Sequence, residues 1–176
     1  LPVRDTSAPA MIELARSQEV RQPLGVRYAV ADARKFSSIE HVDLTVAAYL
    51  LNYARNHEEL QEMCDAIARS LKPGGRFVTV NTNPALDFPT APSYRKYGFE
   101  TTVVGDWNEG TPINWTFHLS DEAITIENYH LDIATHEKAL SKAGFTQVRW
   151  LPAKLSPDAM LHHDREFWST LLDFPP

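Results

Sequence analysis

The sequence has a single cysteine among its 176 residues, so it cannot form a disulfide within the chain. This residue, Cys64, falls at an apolar position of a predicted helix. A free cysteine at such a position behaves as a small hydrophobic residue, so we expect a packed thiol rather than a nucleophile. Histidines are more numerous, but no His, Cys or Asp pair has a recognised metal-ligand spacing, so we expect no metal site.

Basic residues are in the minority, with 17 Lys and Arg against 23 Asp and Glu and a net charge of -6. Binding to a nucleic-acid backbone needs clustered positive charge, so we expect no nucleic-acid partner. The sequence also lacks an apolar run of the roughly twenty residues that a bilayer span needs. Its N-terminus has no basic region followed by a hydrophobic one, so we expect a soluble cytoplasmic protein without a membrane partner.

The first half of the sequence alternates predicted helices and strands. Apolar residues at helical spacing predict one helix after Ser7 and another after Asn56, where Glu59 resembles the second member of a capping box. The segment KPGG (72–75) follows that helix, so we interpret it as a C-cap and turn rather than a phosphate loop. Apolar runs predict three strands, of which the second should be central and buried on both faces: Val26–Ala31, Val42–Ala48 and Phe77–Val80. This order indicates a doubly wound α/β sheet, which binds ligands beyond the carboxyl ends of its strands.

From Asn83 onward the pattern changes to prolines, aromatic residues and alternating stretches. We interpret the chain as one domain (1–176), with residues 84–120 as a substrate-side insert and residues 153–176 as a helical tail. Alternation predicts three antiparallel strands: Phe99–Val104, Ile113–Leu119 and Ile124–Leu131. The remaining predicted elements are a helix from Asp132 to Ala143 ended by Gly144, a last strand at Phe145–Leu151, and a terminal helix opened by Ser156 and Pro157.

A resemblance to a known family rests on five segments in a fixed order: DTSAPAMIELAR, ADA after a strand, VDLTVAAYLLNY, IARSLKPGGRFV, and HEKALSKAGF before a last strand. Over residues 3 to 152 the chain resembles the class I S-adenosylmethionine-dependent methyltransferases. Its insert and its FWSTLL tail resemble the toxoflavin-synthase type of small-molecule methyltransferase. The resemblance implies a Rossmann-like sheet, mostly parallel with antiparallel C-terminal strands, S-adenosylmethionine as cofactor and a small-molecule methyl acceptor.

The resemblance also assigns cofactor contacts. Asp5 would accept hydrogen bonds from the ribose hydroxyls, although an acid there could instead cap the following helix. Asp32 would accept a hydrogen bond from the adenine amine while the backbone of Ala33 meets a ring nitrogen; the alternative is an exposed turn aspartate. The small residues Ala47 and Ala48 would lie along the methionine part of the cofactor with Tyr49. Thr6, Met11 and Tyr53 complete the expected contacts, and Tyr49, Asn52 and Tyr53 could instead face the substrate or pack at a helix start.

Aromatic residues outside the common core are the candidates for the acceptor site. A sulfonium carries an already activated methyl group, so the protein's main task is to hold the nucleophile in line with it. Aromatic walls suit a flat acceptor that is methylated on nitrogen or oxygen: Tyr94, Tyr97, Trp107, Trp115 and Trp168, some of which must be core. His118 and His130 are candidate bases, although such histidines are more often satisfied core or surface residues.

Glycine is scarce near the start of the sequence, with none before Gly25. The resembled family binds its cofactor over a glycine-rich turn after a first strand, and this sequence has neither. We therefore expect the chain to be the C-terminal portion of a methyltransferase, and the 176 residues alone to bind the cofactor weakly. A non-catalytic remnant with a structural or partner role remains an alternative. A nicotinamide-dependent reductase is a second alternative, but the lack of a Tyr-x-x-x-Lys pair disfavours it.

Overall fold

The computed structural model describes residues 8–36 and 41–176. Its helices are α1 (Ala8–Arg21), α2 (His57–Ser70), α3 (Ile133–Lys142) and α4 (Arg165–Asp173). Its strands are β1 (Val42–Ala48), β2 (Leu71–Val80), β3 (Phe99–Val103), β4 (Pro112–His118) and β5 (Ala123–Tyr129). Short 3-10 turns lie at Leu51–Tyr53, Phe88–Thr90, Arg95–Tyr97 and Pro157–Leu161. Within these described ranges, no helix combines the length and the apolar character needed to cross a bilayer.

A parallel unit forms the first half of the fold. Strands β1 and β2 pair in parallel, with Ala48 opposite Val80 at their carboxyl ends, and α2 connects them. The start of α2 is fixed locally, because the Asn56 side chain accepts a hydrogen bond from the Glu59 backbone N–H at 3.0 Å. This confirms the predicted N-terminus of the helix.

The core of this unit lies between α2 and α3. The apolar face of α2 presents Leu60, Cys64 and Ile67, which pack with Leu140 of α3 and with the ring of Phe77 from β2. Burial raises the pKa of the Cys64 thiol to about 12. The thiol is therefore protonated at neutral pH, which confirms the expectation of a packed cysteine.

An antiparallel sheet of three strands forms the second half. The strand order is β3-β4-β5, with Phe99 opposite Phe117 and Trp115 opposite Ile126. This confirms the three antiparallel strands predicted from alternation. A second apolar cluster lies on this sheet and consists of Phe88, Ile113 and Trp115, flanked by half-buried Leu86, Phe99, Val103 and Trp107.

Two predicted strands are wrong. In the described structure, neither Val26–Ala31 nor Phe145–Leu151 joins a hydrogen-bonded ladder. A strand needs a partner with free backbone groups, and no described segment pairs with either run. The expectation that β1 is central and buried on both faces is also wrong: Leu44 is 52% and Val46 66% exposed, and the described parallel sheet has two strands.

The segment KPGG follows α2, but the predicted C-cap is wrong: Leu71 caps the helix, and KPGG forms an irregularity within β2 with Gly74 at φ +79°. A side chain on Gly75 would lie 2.9 Å from the Lys72 carbonyl oxygen, so the turn requires glycine. Hydrogen-bonded pairing with β1 begins earlier in the chain than predicted, so β2 begins at Leu71 rather than at Phe77.

The predicted terminal helix is two separate elements. Ser156 caps the 3-10 turn Pro157–Leu161 by accepting a hydrogen bond from the Asp158 N–H. The helix α4 that follows has its own N-cap, Asp164, whose carboxylate accepts from the Phe167 N–H at 2.8 Å. The prediction overlooked this second cap, because Asp164 follows two histidines rather than a visible turn signal.

Candidate functional site

The carboxyl ends of β1 and β2 carry a strained residue. Tyr49 directly follows β1 and adopts φ 54°, a left-handed conformation that is costly for a tyrosine. Its backbone N–H donates to the Val80 carbonyl at 2.6 Å, so a hydrogen bond to β2 stabilises the strained conformation. The Tyr49 side chain is 53% exposed. Backbone strain of this kind clusters at ligand sites, and this end of a parallel sheet is where α/β proteins bind ligands.

Unsatisfied donors lie beside Tyr49. Asn52 is buried, and its Oδ1 accepts a hydrogen bond from the Thr82 N–H, just beyond β2, at 3.1 Å. Among the described residues, the Asn52 Nδ2 and the Thr82 hydroxyl are buried without a hydrogen-bond partner. A buried polar group left unpaired costs about 1 to 3 kcal/mol. These two groups are therefore suited to pair with polar atoms of a ligand.

Asp32 begins a tight turn, in which its carbonyl oxygen accepts from the N–H groups of Lys35 and Phe36. The Arg34 guanidinium donates two hydrogen bonds to the Asp32 carboxylate, from Nε to Oδ1 at 3.1 Å and from Nη2 to Oδ2 at 2.9 Å. The Arg34 backbone N–H also donates to Oδ1, at 2.9 Å. The side-chain hydrogen bond from Arg34 is the main reason why the pKa of Asp32 falls to about 2. Asp32 is therefore an ionised acceptor at neutral pH.

Glu59 connects this turn to α2. Its carboxylate accepts from Arg34 Nη1 at 3.2 Å, from the Arg55 N–H at 3.0 Å and from the Arg55 guanidinium. The hydrogen bonds from Arg55 hold the pKa of Glu59 at about 2. The capping-box expectation identified Glu59 but not these partners. The contact with Arg34 spans 25 residues and has no local sequence signal.

The other residues predicted to contact the cofactor lie in several different parts of the chain. Asp5 and Thr6 lie outside the described residues. Met11 lies on α1 and is 54% exposed. Ala33 is half-buried against the α2–α3 core, and Ala47 is buried near the end of β1. Ala48 is exposed at the end of β1, directly before Tyr49, and Tyr53 is exposed in the 3-10 turn that follows. The structure therefore places Ala47, Ala48 and Tyr49 together at the carboxyl end of β1.

Two of the predicted acceptor-binding aromatics are buried in the core. Tyr94 is fully buried, stacks on Phe99 at 5.2 Å and donates its hydroxyl hydrogen to the Phe174 carbonyl at 2.8 Å. Trp115 packs edge-on against Phe88, and its indole N–H is buried without a partner among the described residues. These positions favour the core interpretation of both residues.

Two other predicted acceptor-binding aromatics, Tyr97 and Trp168, attach the tail to the insert. The rings of Tyr97 and Trp168 stack at 5.9 Å, and the Tyr97 hydroxyl donates to the Phe167 carbonyl at 2.6 Å. Asn83 adds a bond from its Nδ2 to the Pro175 carbonyl at 2.9 Å. The tail is therefore held just beyond the carboxyl end of β2, since Asn83 lies three residues after Val80.

Trp107 lines an open cleft and, unlike Tyr94, is only half-buried there. The cleft has a volume of about 650 Å³ and lies between the loop 88–94 and strand β3. Phe88, Tyr94, Thr102, Asp106 and Trp107 are among its lining residues. Its combination of rings and carboxylates suits a flat molecule that carries a basic nitrogen.

The two candidate bases both have carboxylate partners. His118 Nε2 lies 2.8 Å from Glu100, which also binds Arg95. His130 is buried, stacks on Trp107 at 4.1 Å and places Nε2 3.1 Å from Asp132. These contacts favour a structural role for each ring. In the described part of the chain, no group of three or more potential ligands is placed to hold a metal ion.

Comparisons with known proteins agree with this geometry. Residues 5–75 match the methyltransferase domain family. The N-demethylindolmycin N-methyltransferase of Streptomyces griseus is 23% identical over 142 residues, which are 79% of this chain and 57% of that protein. The chain therefore spans little more than half the length of this curated relative.

Solved structures show the same fold. An S-adenosylmethionine-dependent methyltransferase from Mesorhizobium loti superposes with a TM-score of 0.56 at 19% identity, covering 90% of this chain and 70% of that one. A sugar N-methyltransferase from Streptoalloteichus gives 0.53 at 18% identity, with coverages of 78% and 60%. An amino pentose methyltransferase from Micromonospora echinaspora, solved with S-adenosylmethionine bound, gives 0.53 at 18%, with coverages of 78% and 62%. Residues 5–75 are therefore a match to a methyltransferase domain, and the chain has the α/β fold of the class I S-adenosylmethionine-dependent methyltransferases.

Proposed function

We propose that the protein transfers a methyl group from S-adenosylmethionine to a nitrogen or oxygen of a small, flat or aromatic molecule. The observation that carries this proposal is the polar edge at the carboxyl ends of β1 and β2. There, strained Tyr49 lies beside the unpaired donors of Asn52 and Thr82. A parallel sheet of this fold binds its ligand at that edge.

The candidate residues fit the chemical groups of the cofactor. Asp32 is an ionised acceptor for an exocyclic amine, and the donors of Asn52 and Thr82 suit carboxylate or hydroxyl oxygens. The small side chains of Ala47 and Ala48 allow a ligand to approach the strand backbone closely. The ribose role of Asp5 follows from the resemblance and remains a prediction. When bound, S-adenosylmethionine supplies a methyl group that is already activated by the sulfonium charge.

The protein's contribution to the reaction is to position the acceptor. Well-oriented reactants gain about 7 to 11 kcal/mol over the bimolecular reaction. We propose residues 84–120 as the acceptor-binding insert, with Trp107 as the ring that contacts the acceptor, and residues 153–176 as the tail that encloses it. The names of two similar proteins, both N-methyltransferases, support nitrogen as the acceptor atom.

Binding of S-adenosylhomocysteine to the native protein, measured by calorimetry, tests the cofactor site. Asp32→Asn should weaken binding roughly ten- to a hundredfold, because hydrogen bonds to a charged acceptor are stronger than those to a neutral one. Asp43→Asn is the matched control, since Asp43 lies at the start of β1 and pairs with Lys72 at 2.8 Å. A folded protein that binds NADPH instead would establish the reductase alternative. One that binds neither cofactor would establish the non-catalytic alternative.

Transfer itself is tested with a tritiated methyl donor and a panel of small aromatic amines and phenols. Trp107→Ala should lower transfer to the accepted compounds while leaving S-adenosylhomocysteine affinity unchanged. Equal loss of cofactor affinity would refute the assignment of Trp107 to the acceptor site.

A further inference from the structure

We propose that Arg34 is a positioning residue for adenine recognition, which fixes the Asp32 carboxylate so that its Oδ2 atom receives the exocyclic amine. The inference rests on the proposed function, because it requires that the protein bind an adenine-containing cofactor. Arg34 has no part in the contacts that the resemblance implies, and its role follows from the hydrogen bonds of the structure.

The number of hydrogen bonds that each carboxylate oxygen of Asp32 already accepts shows which oxygen is free to bind the base. Asp32 Oδ1 accepts two hydrogen bonds from Arg34, one from the backbone N–H and one from Nε. Oδ2 accepts one, from Nη2. A carboxylate oxygen has about two acceptor positions, so the remaining position among the described contacts is on Oδ2. The two parallel bonds from Arg34 also fix the plane of the carboxylate, which a single bond would leave free to rotate.

The guanidinium is itself held from α2. Arg34 Nη1 donates to Glu59 at 3.2 Å, and the Glu59 side chain is 11% exposed. Glu59 is fixed in turn by the Arg55 backbone at 3.0 Å and by its place in the first turn of α2. This helix packs into the main core through Leu60 and Ile67. The turn that carries Asp32 is therefore connected by a chain of hydrogen bonds to a rigid element.

This arrangement discriminates between bases. An ionised carboxylate accepts hydrogen bonds and donates none, so it favours the amine of adenine over the carbonyl oxygen of hypoxanthine. Asp32 is ionised at neutral pH even at its ordinary pKa, so the role of Arg34 is to fix the orientation of the carboxylate. Without the guanidinium, the carboxylate can rotate away from the amine, and this weakens the preference for the amine.

The test compares two ligands that differ at this group, S-adenosylhomocysteine and S-inosylhomocysteine, by calorimetry on the native protein and on Arg34→Gln. We expect the variant to lose about tenfold in affinity for the adenine ligand, with no loss for the inosine ligand. Arg95→Gln is the matched control, because Arg95 forms a similar exposed ion pair with Glu100 on the insert. The control should change neither affinity.

Three results would overturn the proposal. Equal weakening of both ligands would mean that Arg34 acts on the fold alone, and tighter binding of the adenine ligand would mean that Arg34 competes with the base. Unchanged binding of both would mean that Asp32 is oriented without it. The double variant Asp32→Asn, Arg34→Gln should bind no worse than Asp32→Asn alone, since Arg34 acts through Asp32. If the native protein binds neither ligand, the proposed function fails as well, and this result is distinct from the other three.

Discussion

Replacement of Glu59 by glutamine should destabilise the fold by about 2 kcal/mol at neutral pH. The amide would keep the shape of the side chain but lose the charge that receives hydrogen bonds from Arg34 and Arg55. Hydrogen bonds to a buried charged group contribute about 1.5 to 3 kcal/mol. The loss of a negative charge from the first turn of α2 adds about 0.3 to 1 kcal/mol through the helix dipole. Because both arginines are partly exposed, solvent screening keeps the expected total at the lower end of the sum.

The pH dependence identifies the carboxylate as the cause. The pKa of Glu59 is lowered from 4.5 to about 2 in the folded protein. Its contribution to stability is therefore complete above pH 4.5 and disappears as the pH falls through about 2. The difference in unfolding free energy between the native protein and Glu59→Gln should be constant from pH 5 to 8 and shrink below that range.

Urea unfolding followed by circular dichroism measures this difference. For a slope of about 2 kcal/mol/M, the midpoint at pH 7 should fall by about 1 M. Glu58→Gln is the matched control, because Glu58 is the exposed neighbour in the same helical turn and should show the dipole contribution alone. An equal shift for Glu58→Gln, or a shift for Glu59→Gln that persists undiminished at pH 2, would refute the reasoning.

Two further measurements test the core between α2 and α3 and the attachment of the tail. The Cys64 thiol, whose pKa burial raises to about 12, should not react with a disulfide reagent at pH 8 until the protein unfolds; reaction in the folded state would contradict its packing. Tyr94→Phe should cost about 1 kcal/mol and expose the tail to proteolysis, because it removes the hydrogen bond to the Phe174 carbonyl. A change in acceptor KM with normal stability and an intact tail would return Tyr94 to the acceptor site.

Local signals in the sequence identified the elements that local interactions form. Asn56 caps α2, as its position before the predicted helix indicates. Gly144 follows α3 and adopts the left-handed conformation, with φ +102°, that a glycine after a helix predicts. Alternation located β3 to β5 because these strands are neighbours in the chain and pair through short connections. The strand prediction for Val26–Ala31 was wrong because an apolar run shows a preference for extended backbone but not the presence of a pairing partner.

The site was less predictable because its contacts join distant parts of the chain. The sequence identified Asp32 as the end of an apolar run, but the hydrogen bonds from Arg34 to Glu59 depend on tertiary structure. Thr82 was missed because a hydroxyl after a strand is common, and its unpaired state follows from its burial beside Asn52. Composition could not separate Tyr94 from Trp107. Both line the cleft, but Tyr94 is fully buried and bonded to the tail, whereas Trp107 is half-buried.

The hydrogen bonds of Glu109 connect the proposed insert to the helices next to the proposed cofactor site. Glu109 belongs to the proposed insert, yet its carboxylate lies 2.8 Å from His57 at the start of α2 and accepts from the Asp132 N–H at 3.0 Å before α3. The insert is therefore fixed to the two helices that form the core of the parallel unit, while the cleft beside Trp107 is bordered by loop residues and by strand β3. Loops tolerate substitution better than the helices to which they are attached. If the proposed acceptor site is correct, we expect changes around Trp107 to alter the acceptor without disturbing Asp32, as long as Glu109 and its two partners remain.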